Sequence, residues 1–295
     1  MSLATRSDLS EVTELRRDYG SFQVIPLTPV IGAEVQGVDL SQELDGDKFA
    51  DLRQAFLDHS VLIFRDQKLS RDDHKRFGRM FGELHVHPLN KHDNPDPEVL
   101  LVKTTKNSKF TPGDGWHTDV TCDEKPPMGS MLYITRTPEI GCGGDTLFSS
   151  MYAAYEALSE PMKKFLESMT AVHDGALTYS GAYKIGPEAN SSHPRTEHPV
   201  IGMHPETGRK LLYVNNGFTT HIKGLAGNES RALLDMLFRH IETSVRFQCR
   251  VQWQPNTLVF WDNRCTQHHA AWDYFPYTRY GERVSIIGDP PAAVA

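Results

Sequence analysis

Two short polar segments, far apart in the chain, restrict most strongly how this sequence can fold. The first reads Trp-His-Thr-Asp at 116–119, and the second reads Trp-Asp-Asn-Arg-Cys-Thr-Gln-His at 261–268. If the first segment is a strand, His117 and Asp119 project from the same face, because side chains at i and i+2 share a face. A fold that brings the second segment beside the first would gather two imidazoles and one carboxylate around one point.

This set of side chains predicts a metal site. Two histidines and one carboxylate on one face of an ion leave its other positions open, which is diagnostic of a non-haem Fe(II) oxygenase. We therefore predict that His117 and Asp119 bind Fe(II) with a histidine of the second segment. His268 and His269 are adjacent and would point to opposite faces of a strand, so only one of them can serve. Spacing alone does not choose between them.

The rest of the chain is a series of short apolar runs separated by polar residues, Gly or Pro. Runs of this kind predict strands, here at 22–27, 60–64, 99–102, 131–135, 249–253, 257–261, 266–270 and 282–287. Helices are predicted at 47–57 with Asp47 as N-cap, after a Ser70/Asp73 capping box, and at 151–158, 161–169 and 228–241. Short strands with inserted helices favour a mainly β, α+β fold, a sandwich or jelly roll, over alternating βαβ units.

Composition excludes some classes of binding partner and indicates the cellular compartment. The net charge of −7 argues against a general nucleic-acid or anionic-membrane surface. The four cysteines are scattered without a C-x-x-C pair, which fits a reducing compartment. No apolar run approaches the length of a membrane span, and the N-terminus is polar. We expect a cytoplasmic protein that binds neither nucleic acid nor membrane, with a flexible tail at 1–20 and a single domain at 21–295.

Four motifs in this order resemble those of the taurine dioxygenase (TauD/TfdA) family of Fe(II)/2-oxoglutarate-dependent dioxygenases. They are Trp-His-Thr-Asp-Val-Thr at 116–121, Gly-Gly-Asp-Thr at 143–146, Gly-Phe-Thr-Thr at 217–220 and Trp-Asp-Asn-Arg at 261–264. The resemblance runs from about Pro26 to Pro290. It implies a double-stranded β-helix (a cupin-like jelly roll) with flanking and inserted helices. It also implies Fe(II), with 2-oxoglutarate and O2 as cosubstrates, and its Thr-x-His pattern selects His268 as the second metal histidine.

Two arginines in the last predicted strand indicate anion binding. Arg279 and Arg283 are four residues apart, so both guanidinium groups share one face, and an inward-facing pair is costly unless each meets an anion. The planar fork of arginine suits a carboxylate or a sulfonate. The resemblance implies that Arg279, with Thr146, binds the distal carboxylate of 2-oxoglutarate, and that Arg283 binds the anionic head of the substrate.

The resemblance also implies a substrate pocket, with His87, Val120 and Phe218 at matching positions. Two positions depart from the taurine enzymes, since Asn90 replaces a Tyr and Gly113 replaces an Asn. We expect hydroxylation of a small organic anion, first a sulfonate such as taurine, which would give sulfite, aldehyde, succinate and CO2. The alternative substrate is an aryloxyalkanoate resembling 2,4-dichlorophenoxyacetate, or an alkyl sulfate.

Two rival classes share parts of this pattern. A silent jelly-roll sensor has no need for open metal positions, so the three predicted ligands together with Arg279 argue against it. A nucleic-acid demethylase is disfavoured by the negative charge and the lack of a basic stripe. The loops 105–115 and 177–199 are candidates for a lid, because lids need Gly hinges and few apolar contacts. The resemblance is compatible with a homodimer or a homotetramer.

Overall fold

The computed structural model describes residues 15–87, 95–186 and 192–294, which form mostly short strands. The strands are β1 Gln23–Pro26, β2 Ala33–Gln36, β3 Val61–Phe64, β4 Leu84–His85, β5 Val99–Thr104, β6 Gly129–Arg136, β7 Thr146–Ser150, β8 Thr170–Asp174, β9 Arg195–Pro199, β10 Ile201–Met203, β11 Lys210–Leu212, β12 Thr219–Ile222, β13 Gln248–Val251, β14 Thr257–Asp262, β15 Thr266–Ala270, β16 Arg279–Ile286 and β17 Ala292–Ala293. The helices are α1 Gly46–His59, α2 Arg71–Arg79, α3 Met151–Glu156, α4 Glu160–Leu166 and α5 Gly227–Thr243, with a π-helix at Leu177–Ala182 and a 3-10 turn at Val245–Phe247.

Two facing sheets form the centre of the fold. Within the described ranges, the larger sheet has the order β1-β2-β3-β14-β6-β16-β4, with β5 also paired to β16, and a smaller sheet has the order β13-β7-β15. Side chains from β3, β6 and β14 meet side chains from β7 and β13 in one buried cluster, which includes Val259, Trp261 and Phe148. This is the sheet-on-sheet packing of a jelly roll.

Helices cover the outer face of the larger sheet. Phe56 of α1 stacks on Phe260 of β14 with ring centroids 3.9 Å apart, and Phe77 of α2 packs beside them. Every residue of β14 is therefore buried, with Phe260 facing the helices and Trp261 facing the second sheet. A strand covered on both faces explains the continuous apolar run in this part of the sequence.

Helix starts follow local hydrogen bonding. The Ser70/Asp73 capping box of α2 is confirmed, because both reciprocal bonds are present. The prediction of Asp47 as the N-cap of α1 is wrong: the cap is Asp45, whose carboxylate accepts from the backbone N–H of Lys48. Asp47 instead lies in the first turn, where a negative charge also interacts favourably with the helix dipole.

The predicted tail and one predicted lid loop contain ordered parts. Of residues 1–20, only 15–20 fall in the described ranges, and there Tyr19 is buried against Phe22, so the packed core begins before residue 21. The segment 177–199 contains a π-helix and β9, and its residues 187–191 lie outside the described ranges. Loop 105–115 has neither helix nor strand, as predicted. Among the described helices, none has both the length and the apolar character needed to span a bilayer.

Candidate metal centre

The structure brings His117, Asp119 and His268 together. Asp119 Oδ1 lies 3.8 Å from His117 Nε2 and 4.0 Å from His268 Nε2. The three potential ligand atoms all lie within 4.8 Å of one another. The two remote segments also pair through their backbones, because His117 N–H donates to His268 O at 3.1 Å and His268 N–H donates to His117 O at 2.8 Å.

Residues 116–119 do not form the strand that would place His117 and Asp119 on one face, although the two side chains do converge. His117 makes only an isolated β-bridge to His268, and Asp119 begins a turn in which Val120 has a φ of 50°. Asn263 of the second segment holds this turn: its Oδ1 accepts from Asp119 N–H at 2.9 Å and its Nδ2 donates to Asp119 O at 3.0 Å. The direction of Asp119 is thus set by a residue far away in the chain.

His268 and His269 point to opposite faces of β15, as their adjacency predicts. His268 is turned inward beside Phe148 and Trp261. His269 is turned outward, and its Nε2 lies 3.1 Å from Asp114 Oδ1. His269 therefore belongs to a different pair from the inner group.

The protonation states of the group suit a divalent cation. Burial lowers the pKa of His117 and lowers that of His268 well below its ordinary value, so both imidazoles are neutral. Burial alone would raise the pKa of Asp119, but the positive charge of Arg283 outweighs it and holds this pKa well below the usual range. His117 Nδ1 lies 2.8 Å from Gly115 O, so Nδ1 carries the proton and Nε2 keeps its lone pair for a metal ion.

Arg279 and Arg283 lie in β16 at the edge of this group. Arg283 Nη1 donates to Asp119 Oδ1 at 2.8 Å, and Arg279 Nη2 donates to Thr146 Oγ1 at 3.2 Å. Burial lowers the pKa of Arg279, which is only 2% exposed. In both side chains the Nε–H is buried and has no hydrogen-bond partner among the described residues. Such donors are expensive to leave unpaired, so they favour an anionic ligand.

Two aromatic residues near these arginines were missed by the sequence analysis. Trp253 Nε1 donates to Thr146 Oγ1 at 2.9 Å, and its ring lies 5.1 Å from the guanidinium carbon of Arg279. Tyr183 accepts a hydrogen bond from the N–H of Gly113 at 2.9 Å. Both partnerships join distant segments, so no local pattern in the sequence signals them.

A cavity of about 430 Å³ opens beside the three clustered side chains. Its polar lining includes Arg279, Arg283 and His87, and its apolar lining includes Val120 and Phe218. Burial chiefly, together with the positive charge of Arg283, lowers the pKa of His87 to about 3. Asn90 lies outside the described residues.

A second cluster, of His204, Asp262 and Cys265, is fully buried behind the site. Asp262 already pairs with Arg264 at 2.7 Å and with His204 at 3.0 Å. His204 Nδ1 accepts from the backbone N–H groups of Glu206 and Thr207, so Nε2 carries the proton and has no lone pair for a cation. We interpret this cluster as support for the connection between β14 and β15.

The fold and the clustered side chains are typical of the 2-oxoglutarate-dependent dioxygenases. Residues 23–285 match the family model described as taurine catabolism dioxygenase TauD, TfdA family, and the chain belongs to this family. It is 30% identical to an alpha-ketoglutarate-dependent sulfonate dioxygenase of Saccharomyces cerevisiae, over 94% of this chain and 69% of the yeast protein. It is 34% identical to an alkylsulfatase of Acinetobacter baylyi, over 94% of this chain and 88% of that protein.

The fold also matches a solved structure. A taurine dioxygenase from Burkholderia xenovorans aligns with a TM-score of 0.80 and 37% identity, over 92% of this chain and 91% of the other. This likeness confirms the predicted double-stranded β-helix with added helices. The protein is an oxidoreductase, a dioxygenase that uses Fe(II), 2-oxoglutarate (alpha-ketoglutarate) and O2.

Proposed function

We propose that His117, Asp119 and His268 bind the Fe(II). The proposal is supported by two neutral imidazoles and one ionised carboxylate that converge on a single point. The donor set fits a first-row divalent ion and leaves coordination positions open for other molecules. When bound, the iron would let O2 oxidise the keto acid and the substrate together: one oxygen atom would enter succinate as 2-oxoglutarate loses CO2, and the other would become the hydroxyl group on the substrate carbon.

The keto acid binds through Arg279 and Thr146 in this proposal. The Arg279 side chain is buried and carries an Nε–H with no partner among the described residues, which suits a carboxylate. Thr146 Oγ1 accepts from both Trp253 and Arg279, so its own O–H remains free to donate to the same carboxylate. The hydrogen bond from Trp253 Nε1 holds the Thr146 hydroxyl in position.

The substrate is a small organic sulfonate such as taurine, whose head group binds to Arg283 and His87. The observation that carries this proposal is the buried Nε–H of Arg283, which lines a cavity beside Asp119 and has no hydrogen-bond partner among the described residues. An anion there would hold the adjacent carbon next to the metal group. Hydroxylation of that carbon releases sulfite and leaves an aldehyde. The yeast relative, named a sulfonate dioxygenase, supports this substrate class.

An apolar wall favours a second candidate, an alkyl sulfate or an aryloxyalkanoate. Leu100, Val102, Leu132 and Phe218 line the cavity, and a substrate with a hydrocarbon or aryl tail would bury these side chains. The relative named an alkylsulfatase supports the first of these alternatives. Val120 completes the wall close to the metal group.

A substrate panel tests the proposal. The protein with Fe(II), 2-oxoglutarate and O2 is given taurine, hexane-1-sulfonate, hexyl sulfate or 2,4-dichlorophenoxyacetate, and succinate is measured together with sulfite, sulfate or phenol. We expect stoichiometric sulfite from a sulfonate. If neither sulfonate makes succinate form faster than it does without substrate, a sulfonate is excluded as the substrate. Release of sulfate from hexyl sulfate, or of phenol from 2,4-dichlorophenoxyacetate, in the same amount as succinate would establish the second candidate.

We also propose a cytoplasmic location and an assembly into a homodimer or homotetramer. All four cysteines lie in the described ranges and are free, which fits a reducing compartment. The assembly is an expectation from the family resemblance alone. Light scattering coupled to size exclusion would measure it.

A further inference from the structure

Two side chains of one cavity wall form hydrogen bonds with the backbone of two glycines. The wall is the π-helix Leu177–Ala182 with the following Tyr183. Thr178 Oγ1 donates a hydrogen bond to the carbonyl of Gly217. The Tyr183 hydroxyl accepts from the N–H of Gly113 at 2.9 Å. In the sequence, the two glycines lie far from the π-helix and far from each other.

Both glycines lie directly against His117. A Cβ at Gly217 would be 2.9 Å from His117 Cβ, closer than real contacts allow. A Cβ at Gly113 would be 3.3 Å from His117 Cε1 and 3.8 Å from Nε2, and its φ of +87° also favours glycine. Gly217 therefore lies close to the Cβ of His117 and Gly113 lies close to its imidazole, and each glycine is hydrogen-bonded to the cavity wall.

Apart from these glycines, the ring of His117 packs beside the ring of His268, with the two centroids 4.2 Å apart. Two hydrogen bonds to His268 fix its main chain, but among the described residues the ring makes a single hydrogen bond, from Nδ1 to Gly115 O in its own loop. Residues that hold a metal-binding imidazole in orientation change metal affinity when they are removed. The backbone of Gly113 is itself held in place, since its carbonyl accepts from Ala270 N–H at 2.9 Å.

We propose that Thr178 and Tyr183 are positioning residues for His117, which act through Gly217 and Gly113 to set the direction of its Nε2. The inference rests on the proposed role of His117 as a metal ligand. In this arrangement, a displacement of the cavity wall would also move the imidazole of His117. A substrate that presses on the wall would therefore also act on the imidazole.

The test measures metal affinity rather than turnover. Co(II), a redox-stable divalent ion, is titrated calorimetrically into the metal-free full chain under anaerobic conditions, and the visible Co(II) spectrum is recorded. The variants are T178V and Y183F, which remove one hydroxyl each with little change of shape. T178S restores the hydroxyl. S180A is the matched control, because Ser180 lies in the same π-helix but its hydroxyl bonds with Ile185 and His193 instead.

We expect T178V and Y183F each to weaken Co(II) binding by about 10-fold and to change the spectrum, while S180A and T178S remain like the unaltered protein. Equal Co(II) affinity and spectra in T178V, Y183F and S180A would overturn the inference, even if turnover fell. Thermal melting checks that each variant is folded. If one of the two is not, the Co(II) affinity and spectrum of the other variant decide the outcome.

The variant H117A tests the proposed metal site separately from the positioning role of Thr178 and Tyr183. If H117A binds Co(II) as tightly as the unaltered protein, the proposed metal site itself is wrong. If H117A loses Co(II) binding while T178V and Y183F retain it, the metal site stands and only the positioning role fails.

Discussion

Arg279 and Arg283 lie four residues apart in β16, but their neighbours differ. Arg279 is beside Thr146 and Trp253, whereas Arg283 contacts the carboxylate of Asp119. The sequence places both arginines on one face of a strand, and the structure adds which group each one meets. This difference leads to opposite kinetic predictions for the two residues.

The variant R279A should raise the KM for 2-oxoglutarate far more than the KM for substrate. Loss of a buried charge partner costs about 2 kcal/mol or more, which is roughly 30-fold in affinity. Succinate formation measured against 2-oxoglutarate concentration, at saturating substrate, checks this. A larger change in substrate KM than in 2-oxoglutarate KM would contradict the assignment.

The variant R283A should do the reverse and raise the KM for substrate by roughly 30-fold or more. R283K is the matched variant: it keeps the positive charge beside Asp119 but not the planar fork, so we expect an intermediate KM. Product release measured against substrate concentration gives the comparison. A substrate KM for R283K equal to that of the unaltered protein would mean that the planar fork has no role, and an unchanged substrate KM in R283A would contradict the assignment.

At the scale of elements, the turn between β14 and β15 connects the two halves of the site. Asn263 in this turn is 1% exposed and bonds with the backbone of Asp119 and of Pro127. Because one side chain satisfies three backbone groups, its truncation leaves several of them unpaired. The turn therefore stabilises the fold and also directs a proposed metal ligand.

The variant N263A should lower the free energy of unfolding by about 3 kcal/mol, since each unpaired buried group costs about 1–3 kcal/mol. Urea unfolding of the metal-free protein measures this. Asn228→Ala, at an exposed position in the first turn of α5, is the control and should be close to neutral. A loss of less than about 0.5 kcal/mol in N263A would show that the turn does not depend on this side chain.

Elements with a strong local pattern could be predicted from the sequence. The apolar run of β14, the capping box of α2 and the stripe of α5 all appear near their predicted positions. The conformation around His117 and Asp119 could not be predicted from the local sequence, because it depends on backbone pairing with His268 and on Asn263. Partners such as Trp253 and Tyr183 meet the site only through tertiary packing, which no short pattern records.

At the scale of the whole molecule, the proposed ligands join separate layers. His268 lies on the smaller sheet, while Asp119 bonds through Ser130 Oγ, at 3.0 Å, to a strand of the larger sheet. A metal ion bound between them would link the two sheets of the jelly roll. Metal binding should therefore be coupled to global stability.

The Tm of the protein should rise as the Co(II) concentration exceeds the Kd of the metal site. At a Co(II) concentration 100 times the Kd, linkage predicts about 2.7 kcal/mol of stabilisation and a higher Tm, which a chelator should reverse. The variant H268A should show no such shift. A Tm rise of the same size in H268A would place the metal elsewhere.

We expect one iron ion to bind between His117, Asp119 and His268. Anomalous diffraction at the iron edge, from crystals loaded anaerobically with Fe(II), would locate this ion. One peak should lie within coordination distance, about 2 Å, of His117 Nε2, Asp119 Oδ1 and His268 Nε2. A peak at the buried His204 cluster, or a peak that lacks any one of the three predicted ligands, would contradict this assignment.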